Sequence, residues 1–327
     1  MKKKIRWGIL ATGKIARKFA SDLRLLDGSL ITAVGSRKKE SAEIFGAEFG
    51  ISQCHDSYEA LAADPDVDVV YIATPHAIHG ANALLCLRNG KAVLCEKAFT
   101  LNAKEGCEVV TEARARGLFL MEAMWTRFLP LVLKLREMVR EGLIGEVCSV
   151  TAGFGFPATF NPRHRLFDPA LGGGALLDLG IYPLSLAFFL LGPPEEVRGF
   201  ARLTPSGVDG QSSMMLRHQG GAVSLLQASL CHDISDQAWI NGTKGKICLH
   251  GPWWAAQALT LEQTGRAPKR VKLPFTGSGY FHEAEEVQHC LERGQTESLI
   301  MPLDETLALM ETMDRLRAVW GVDYPMP

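Results

Sequence analysis

The sequence predicts an α/β protein whose first part is a doubly wound parallel sheet and whose second part is α+β, with a large, mostly antiparallel open sheet. Three observations carry this prediction. The first 122 residues alternate strand and helix patterns, a glycine-containing turn follows the first strand, and successive strands replace the alternation beyond about residue 125. We therefore expect two domains, at residues 1–122 and 123–327.

Apolar runs and helical periodicity place the elements of the first domain. Strands are expected over residues 5–10, 30–34, 67–73, 92–94 and 118–121, and helices over 14–26, 39–49, 79–89 and 103–116. The run 67–73 is almost continuously apolar, which is typical of a strand covered on both faces. Gly90 and Gly117 directly follow two of the helices, where glycine favours the left-handed end of a helix.

The second domain has a different rhythm. A helix is expected over 131–141, a long strand over 147–156 and a helical segment over 174–191, which Pro183 must kink or restart. Further strands are expected over 197–203, 210–217, 222–231, 237–241 and 246–250, and closing helices over 281–293 and 303–320. Glycine-rich turns between these strands indicate an antiparallel meander.

Composition excludes several classes of protein. The 327 residues carry a formal net charge of −1, so we expect no nucleic-acid partner and no attraction to an anionic membrane. The longest apolar run, 182–191, is shorter than a membrane span. Eight scattered cysteines form no C-x-x-C pair, which favours reduced thiols in a cytoplasmic protein.

The turn after the first strand resembles a dinucleotide-binding fingerprint. The pattern G-x-G-x-x-G/A is present with alanine in the first position, as Ala11-x-Gly13-x-x-Ala16. Glycine would let the backbone approach a pyrophosphate, which the helix amino end attracts. The expected cofactor contacts in this Rossmann turn are Gly8, Ala11, Thr12, Gly13, Lys14 and Ile15. An ordinary strand-to-helix turn is the alternative interpretation.

The end of the second strand favours NADP(H) over NAD(H). An NAD site usually has an acidic residue there to hold the ribose 2′-hydroxyl, but this chain has Ser36 and Arg37. A guanidinium can bind a 2′-phosphate through two hydrogen bonds, and the serine can add a third. A solvated basic turn is the alternative.

The segment after the strand 67–73 should line the nicotinamide end of the cleft. It contains Thr74, Pro75, His76 and His79. Two histidines could ligate a metal ion, but neither cysteine nor carboxylate lies near them in sequence, and hydride transfer needs no metal. We therefore expect no metal site.

An ammonium, a carboxylate and a phenol form the expected catalytic set. Lys97 follows an apolar strand, and Asp178 lies one helical turn before Tyr182. Tyr182 could serve as general acid for carbonyl reduction, with Lys97 favouring its phenolate form and lowering its pKa. Asp178 could orient the substrate hydroxyl or keep Lys97 charged. The alternatives are a salt bridge at Lys97 and a structural hydrogen bond between Asp178 and Tyr182.

These motifs resemble the Gfo/Idh/MocA oxidoreductases over almost the whole length. The resemblance lies in Gly13-Lys-Ile-Ala, in Cys95-Glu96-Lys97 and in the triple glycine that leads to Asp178 and Tyr182. The family's usual lysine and aspartate fall on Lys97 and Asp178, and its usual histidine is replaced by Tyr182. Ala98 stands where relatives usually have proline. The resemblance further implies that Glu96 and Arg165 help to bind the cofactor.

A tyrosine at this position implies a branch of the family that acts on cyclic diols or sugars. The expected activity is NADP-dependent hydride transfer at a carbinol or carbonyl carbon of a trans-dihydrodiol or of a sugar such as D-xylose. A sugar aldehyde or ketone reductase and a non-catalytic NADP-binding regulator are the alternatives. Trp125, Phe154 and Phe156 are expected to form an apolar substrate wall, or else plain core. The family resemblance also implies a homodimer through the C-terminal sheet. Trp253 and Trp254 would suit such a surface, with core packing as the equal alternative.

Overall fold

The computed structural model describes residues 4–325, which form two compact units with one sheet each. The first unit comprises the described chain up to Trp125 together with Thr276–Leu307. The second comprises Thr126–Phe275 and the chain from Ala308 onward. The prediction of two contiguous domains, 1–122 and 123–327, therefore needs correction, because a segment late in the sequence returns to the first unit.

The first unit contains a six-stranded sheet with helices between its strands. Its strands are β1 (Ile5–Leu10), β2 (Ser29–Gly35), β3 (Gln53–His55), β4 (Val69–Ile72), β5 (Ala92–Glu96) and β6 (Leu120–Ala123). Its helices up to this point are α1 (Lys14–Leu23), α2 (Lys39–Phe49), α3 (Tyr58–Ala63), α4 (His79–Arg88) and α5 (Ala103–Arg116). The strand order β3-β2-β1-β4-β5-β6 is parallel throughout, which confirms the doubly wound fold. The order reverses between β1 and β4, the usual place for a dinucleotide.

Two elements of the first unit were not predicted. The strand β3 has only three residues, none of them strongly apolar, and α3 is only six residues long. Segments this short show no clear periodicity. The left-handed backbone expected at Gly90 and Gly117 is present, with φ angles of 76° and 63°.

The second unit contains an eight-stranded sheet. Its first two helices are α6 (Pro130–Arg140) and α7 (Ile181–Leu191). Its strands are β7 (Val147–Gly155), β8 (Pro194–Leu203), β9 (Asp209–His218), β10 (Val223–Ser229), β11 (Ala238–Gly242), β12 (Gly245–Leu249), β13 (Ala258–Gln263) and β14 (Lys269–Lys272). The order is β14-β13-β12-β11-β7-β10-β9-β8, and among the described residues of this second sheet only the β7–β10 pair is parallel. The prediction of a mostly antiparallel sheet is confirmed, and β13 and β14 extend it beyond the predicted strands.

An irregular helix crosses the core of the second unit. A π-helical turn, Leu176–Gly180, runs directly into α7, and all residues from Leu176 to Phe189 are buried. The irregularity predicted near Pro183 is present as this π-turn, after which α7 begins at Ile181, two residues before the proline. It lacks an N–H group, and the wider π-turn immediately precedes it, where irregular hydrogen bonding is common. We name Leu176–Gly180 the π-turn.

The segment Pro169–Leu191 is long and apolar enough to cross a membrane by length and composition. It is longer than the apolar run from which no membrane span was expected. Within the described residues, 89% of its apolar window is buried inside the structure, which is the pattern of a core helix.

The chain ends in α8 (Phe281–Glu292) and α9 (Leu303–Trp320). In the first unit α8 packs near α1, because the carboxylate of Asp22 accepts hydrogen bonds from the backbone N–H groups of Ser278 and Phe281. The side chain of Gln288 adds hydrogen bonds to Ser29 and Asp27. These contacts tie residues 276–307 to the first unit.

Candidate active site

The turn between β1 and α1 has the form of a phosphate-binding turn. Ala11 has a φ of 86°, unusual for a residue with a side chain, and Gly13 precedes the first residue of α1. No side chain caps this end of α1, and its first turn carries no acidic residue. A Cβ placed on Gly13 would have no other atom within 4 Å. The helix amino end is therefore open to an anion.

The other residues expected in this turn have different surroundings. Thr12, Lys14 and Ile15 are at least partly exposed, and the Thr12 carbonyl accepts a hydrogen bond from the Arg17 guanidinium. Gly8 lies inside β1, where a Cβ would approach Val67 Cγ1 to 3.0 Å. Packing inside the sheet therefore explains this glycine.

The end of β2 carries an exposed guanidinium. Ser36 is buried, and its hydroxyl accepts a hydrogen bond from Lys38 N at 3.4 Å. Arg37 is exposed and hydrogen-bonds the hydroxyl of Tyr58. Burial raises the pKa of Tyr58, and Arg37 opposes that shift. A guanidinium, a hydroxyl and no carboxylate at residues 36–39 suit a phosphate better than a ribose hydroxyl.

Two histidines follow β4, and they differ in their surroundings. Their rings lie edge to face, 5.6 Å apart. The ring of His79 is fully buried, with Nδ1 2.9 Å from the Ala98 carbonyl oxygen and Nε2 2.8 Å from that of Thr74. Burial lowers the pKa of His79. His79 thus links the segment after β4, which holds Thr74, Pro75 and His76, to the segment after β5, and any effect on a cofactor is indirect.

The end of β5 holds Lys97 at the edge of a buried hydrogen-bond network. Glu96 is buried, accepts a hydrogen bond from the Tyr71 hydroxyl, and accepts another from Lys97 N at 3.2 Å. The peptide bond between Lys97 and Ala98 is cis. Burial and the charge of Glu96 raise the pKa of Tyr71, so this phenol remains a donor. No sequence pattern pointed to Tyr71, which fits the apolar run of β4.

Trp125 is the last residue of the first of the two segments that form the first unit, and its side chain is buried. Its ring stacks on that of Tyr280, with centroids 4.9 Å apart and an interplanar angle of 29°. Tyr280 lies 155 positions away in sequence. No local pattern could have predicted this pair.

In the second unit, Asp178 is bound by Arg165. Arg165 Nη1 lies 2.9 Å from Asp178 Oδ1, and Nη2 lies 3.5 Å from Oδ2. The carboxylate is 10% exposed and the guanidinium 53% exposed. Arg165 was expected to contact the cofactor and Asp178 to contact substrate or Lys97. The structure adds an ion pair between the two that spacing alone did not suggest.

Tyr182 lies one residue into α7, beside an aromatic group. The ring of Phe154, from β7, meets it edge to face at 5.3 Å. The ring of Trp254 stacks on that of Phe154, with centroids 3.6 Å apart. Phe156 lies 6.4 Å from Phe154 and packs against a core that includes Leu179 and Phe167. Trp253 and Trp254 were considered as a dimer surface or as core. The structure buries Trp253 completely and places Trp254 in this aromatic group.

The predicted residues thus fall into two sets. Lys97, Trp125 and the cofactor residues before residue 97 belong to the first unit. Arg165, Asp178, Tyr182, Phe154 and Phe156 belong to the second. Residues 4–325 contain no cluster of three or more His, Cys, Asp or Glu side chains suited to a metal ion.

Each unit matches a known protein family. Residues 5–124 match the family described as an oxidoreductase family with an NAD-binding Rossmann fold. Residues 132–248 match the GFO/IDH/MocA C-terminal domain. Two curated relatives named trans-1,2-dihydrobenzene-1,2-diol dehydrogenase, from Bos taurus and Homo sapiens, are 39% and 37% identical, each match covering 98% of both chains.

Solved structures agree in fold. A 3-ketoreductase from Actinomadura kijaniata, crystallised with NADP and TDP-benzene, has a TM-score of 0.86 and 26% identity, with 97% of this chain and 98% of that chain covered. An aldose-aldose oxidoreductase from Caulobacter crescentus has a TM-score of 0.88 at 24% identity, with 96% of each chain covered, and supports the fold alone.

Proposed function

The chain belongs to the Gfo/Idh/MocA oxidoreductase family, and we propose that it is an NADP-dependent dehydrogenase of cyclic trans-dihydrodiols or sugars. The observation that carries this proposal is the buried phenol of Tyr182, which lies at the start of a core helix beside Phe154. It follows Asp178, the ion-pair partner of Arg165, by one helical turn. This arrangement offers a proton donor next to an aromatic surface.

The residues for NADP(H) lie along the ends of β1, β2, β4 and β5. The open amino end of α1 would hold the pyrophosphate, and the Arg37 guanidinium with the Ser36 hydroxyl would hold the 2′-phosphate. Thr74, Pro75 and His76 would line the nicotinamide end, with Glu96 and Arg165 assisting. When bound, the cofactor accepts or supplies the hydride. The similar 3-ketoreductase, which was crystallised with NADP, supports this choice.

Proton transfer is assigned to Tyr182. The phenol gives its proton to the oxygen of the carbonyl during reduction and takes it back during oxidation. Lys97 supplies the ammonium that favours the phenolate form, and Asp178, oriented by Arg165, positions the substrate hydroxyl.

The aromatic group favours a substrate with a flat apolar face. Phe154, which stacks on Trp254 and meets Tyr182 edge to face, suits the ring of a cyclohexadiene diol or the apolar face of a sugar. Trp125 and Phe156 are the further candidates for this wall. The name shared by the curated relatives supports the diol.

Reduction of a sugar ketone or aldehyde is the second candidate. It is favoured by the likeness to a 3-ketoreductase at 26% identity over 97% of this chain. The same groups serve both directions, so the substrate panel must include both alcohols and carbonyls.

A substrate screen read by NADPH absorbance tests the proposal. The panel comprises a trans-dihydrodiol of benzene, D-xylose and several keto-sugars, each with NADP(H) and with NAD(H). We expect turnover of the diol or the pentose with NADP, and a fall in kcat of roughly 10²- to 10⁴-fold in Tyr182→Phe. Cofactor binding should be unchanged in that variant.

Two results would contradict the proposal. Tyr182→Phe with full kcat would remove the proton-transfer role. Tight NADPH binding without turnover on the whole panel would instead favour the regulator.

The proposed assembly is a homodimer through the outer face of the eight-stranded sheet. Phe200, Met215 and Leu225 are 87%, 51% and 47% exposed, and the register places Leu225 opposite Met215. Large apolar side chains clustered on a sheet face are typical of a protein interface. Light scattering should give a dimer mass for the wild type and a monomer mass for Phe200→Glu. A wild-type monomer would contradict this assembly.

The proposed location is the cytoplasm. All eight cysteines are free, and four of them are buried. Unpaired thiols are typical of a reducing compartment.

A further inference from the structure

Asp209 is a fully buried carboxyl group that the proposed mechanism does not use. It is the first residue of β9 and has no exposed surface. Its Oδ2 accepts a hydrogen bond from Leu176 N at 2.7 Å, while Oδ1 has no hydrogen-bond partner among the described residues. A buried polar atom without a partner is costly, so its retention needs a reason.

The 2.7 Å hydrogen bond of Asp209 is made at the start of the π-turn. Leu176 is the first residue of that turn, Asp178 is its third, and Tyr182 follows in α7. A helix that begins with a π-turn has fewer regular hydrogen bonds to fix its direction. The Asp209 carboxyl group therefore holds the backbone from which both side chains project.

A second contact holds the preceding turn from the C-terminal tail. The Tyr324 hydroxyl donates to the Gly173 carbonyl oxygen at 2.5 Å, and the Arg317 guanidinium lies 4.7 Å from the centre of the Tyr324 ring. Between these contacts, Gly174 has a φ of 114°, and a Cβ there would overlap Asp209 Oδ1. The turn is thus shaped around the carboxyl group.

We propose that Asp209 is a positioning residue for the reaction, which fixes the π-turn and thereby sets the positions of Asp178 and Tyr182. This inference rests on the proposed function, because it takes those two side chains as the reacting groups. Tyr324 has the same role through the Gly173 carbonyl.

The charge of Asp209 changes in the neutral pH range. Burial raises its pKa to about 7, against the hydrogen bonds from Leu176 and Ala175 and the charge of Arg317. The elements next to Asp209 carry further ionisable groups.

These groups are Arg317 on α9, Tyr324 in the tail, Asp178 with its partner Arg165, Arg202 on β8, and the Cys231 thiol that donates to Gly210 O.

Above that pKa the carboxylate accepts a stronger, charge-assisted hydrogen bond from Leu176 N. We therefore expect kcat to rise with pH through a step near 7.

Three variants test this inference. Asp209→Asn keeps an acceptor oxygen and the side-chain shape but cannot ionise. Asp209→Ala removes the acceptor, and Tyr324→Phe removes the second contact. Each is assayed for kcat from pH 5 to 9, for NADPH binding by fluorescence, and for hydrogen exchange of the peptide that covers residues 173–182.

The supporting result is a split between catalysis and cofactor binding. A displacement of reacting groups by about 1 Å can cost on the order of 10²-fold in rate, so we expect Asp209→Ala to lose ~10- to 100-fold in kcat while its NADPH Kd stays within about twofold. Exchange over residues 173–182 should become faster. Asp209→Asn stays neutral, so its kcat should remain near the low-pH level of the wild type at every pH, above that of Asp209→Ala, and show no step near pH 7.

The opposite result would overturn the inference. It fails if Asp209→Ala exchanges like the wild type and retains kcat. If Asp209→Ala does not fold, an Asp209→Asn profile that keeps the step, or a Tyr324→Phe variant with wild-type exchange, overturns it instead. Hydrogen exchange needs no substrate, so absence of turnover on every substrate would count against the proposed function and leave this test readable.

Discussion

Two glycine turns, one in each unit, contrast in what requires the glycine. Gly13 has an ordinary φ of −71°, and a Cβ there would meet no other atom within 4 Å. Gly174 is buried, has a φ of 114°, and lies against Asp209. In the first turn the protein itself would accept a side chain, so only a bound ligand requires glycine. In the second turn the fold requires it.

The same contrast holds for the functional side chains. In the first unit, Arg37, His76 and Lys97 follow strands of a parallel sheet, so topology alone brings them to one edge. In the second unit, Asp178 and Tyr182 stand on an irregular helix, whose path depends on contacts from β9 and the C-terminal tail. A regular scaffold tolerates local change better than an irregular one that distant residues hold in place.

The largest effect is expected from substitution of the two glycines, because only one of them is required by the fold. Gly174→Ala introduces both backbone strain of roughly 1–3 kcal/mol and a clash of similar size, so we expect the free energy of unfolding to fall by about 2–6 kcal/mol. Urea denaturation measures this loss.

Gly13→Ala is the matched control for that experiment. Its free energy of unfolding should stay within about 0.5 kcal/mol of the wild type, while its affinity for NADP should fall. Equal losses of stability in the two variants would show that the contrast between the turns is wrong.

Removal of the Arg37 guanidinium tests the role of the functional side chains in the first unit. A hydrogen bond to a charged group contributes about 1.5–3 kcal/mol, so Arg37→Ala should raise the KM for NADPH by roughly 10- to 100-fold and leave that for NADH nearly unchanged. Steady-state kinetics with both cofactors provide the measurement.

Lys39→Ala is the control for Arg37→Ala, because Lys39 is a nearby basic residue whose Nζ bonds the Cys54 carbonyl at 2.9 Å. It should change neither KM. A parallel rise for NADPH and NADH in Arg37→Ala would argue against a 2′-phosphate site.

The variant Arg165→Ala tests the role of the functional side chains in the second unit. Loss of the guanidinium leaves Asp178 without its ion-pair partner, and mutation of such supporting groups typically costs 10- to 100-fold in activity at metal sites, so we expect kcat/KM to fall by about 10-fold or more. Because Arg165 is half-exposed, the free energy of unfolding should change by less than about 1 kcal/mol.

The neighbouring exposed residue Arg163 supplies the control through Arg163→Ala. That variant should retain both activity and stability. If Arg165→Ala were also fully active, the pair with Asp178 would have no part in the reaction.

The smallest effect is expected from a buried acid of the first unit. Glu283 is fully buried, and neither carboxyl oxygen has a hydrogen-bond partner among the described residues. Burial, followed by the charges of Glu96 and Asp22, raises its pKa well above 4.5. The folded state therefore binds this proton more tightly than the unfolded chain, and stability falls as the pH rises from about 4.5 towards the raised pKa.

Glu283→Gln should remove this pH dependence. Thermal unfolding at pH 5 and pH 8 should show a smaller difference in Tm for the variant than for the wild type. An unchanged difference in the variant would mean that Glu283 is ionised in the folded protein at both pH values, and would contradict the prediction.

The sequence by itself determined the regular parts of the molecule. The bounds predicted for β1, α2, α5 and α9 agree with the structure to the residue, because long periodic or apolar runs report burial directly. The fingerprint turn, Arg37 and Lys97 were found because each follows a strand whose place in a parallel sheet is fixed by the alternation of elements.

Only the tertiary structure decided the rest. The return of Thr276–Leu307 to the first unit depends on contacts such as that of Asp22 with Ser278, more than 250 positions apart in sequence. The pairs Arg165–Asp178 and Tyr71–Glu96, and the stacking of Trp254 on Phe154, likewise join separate elements. Periodicity reports which face of an element is buried, but it carries no information about which distant side chain meets that face.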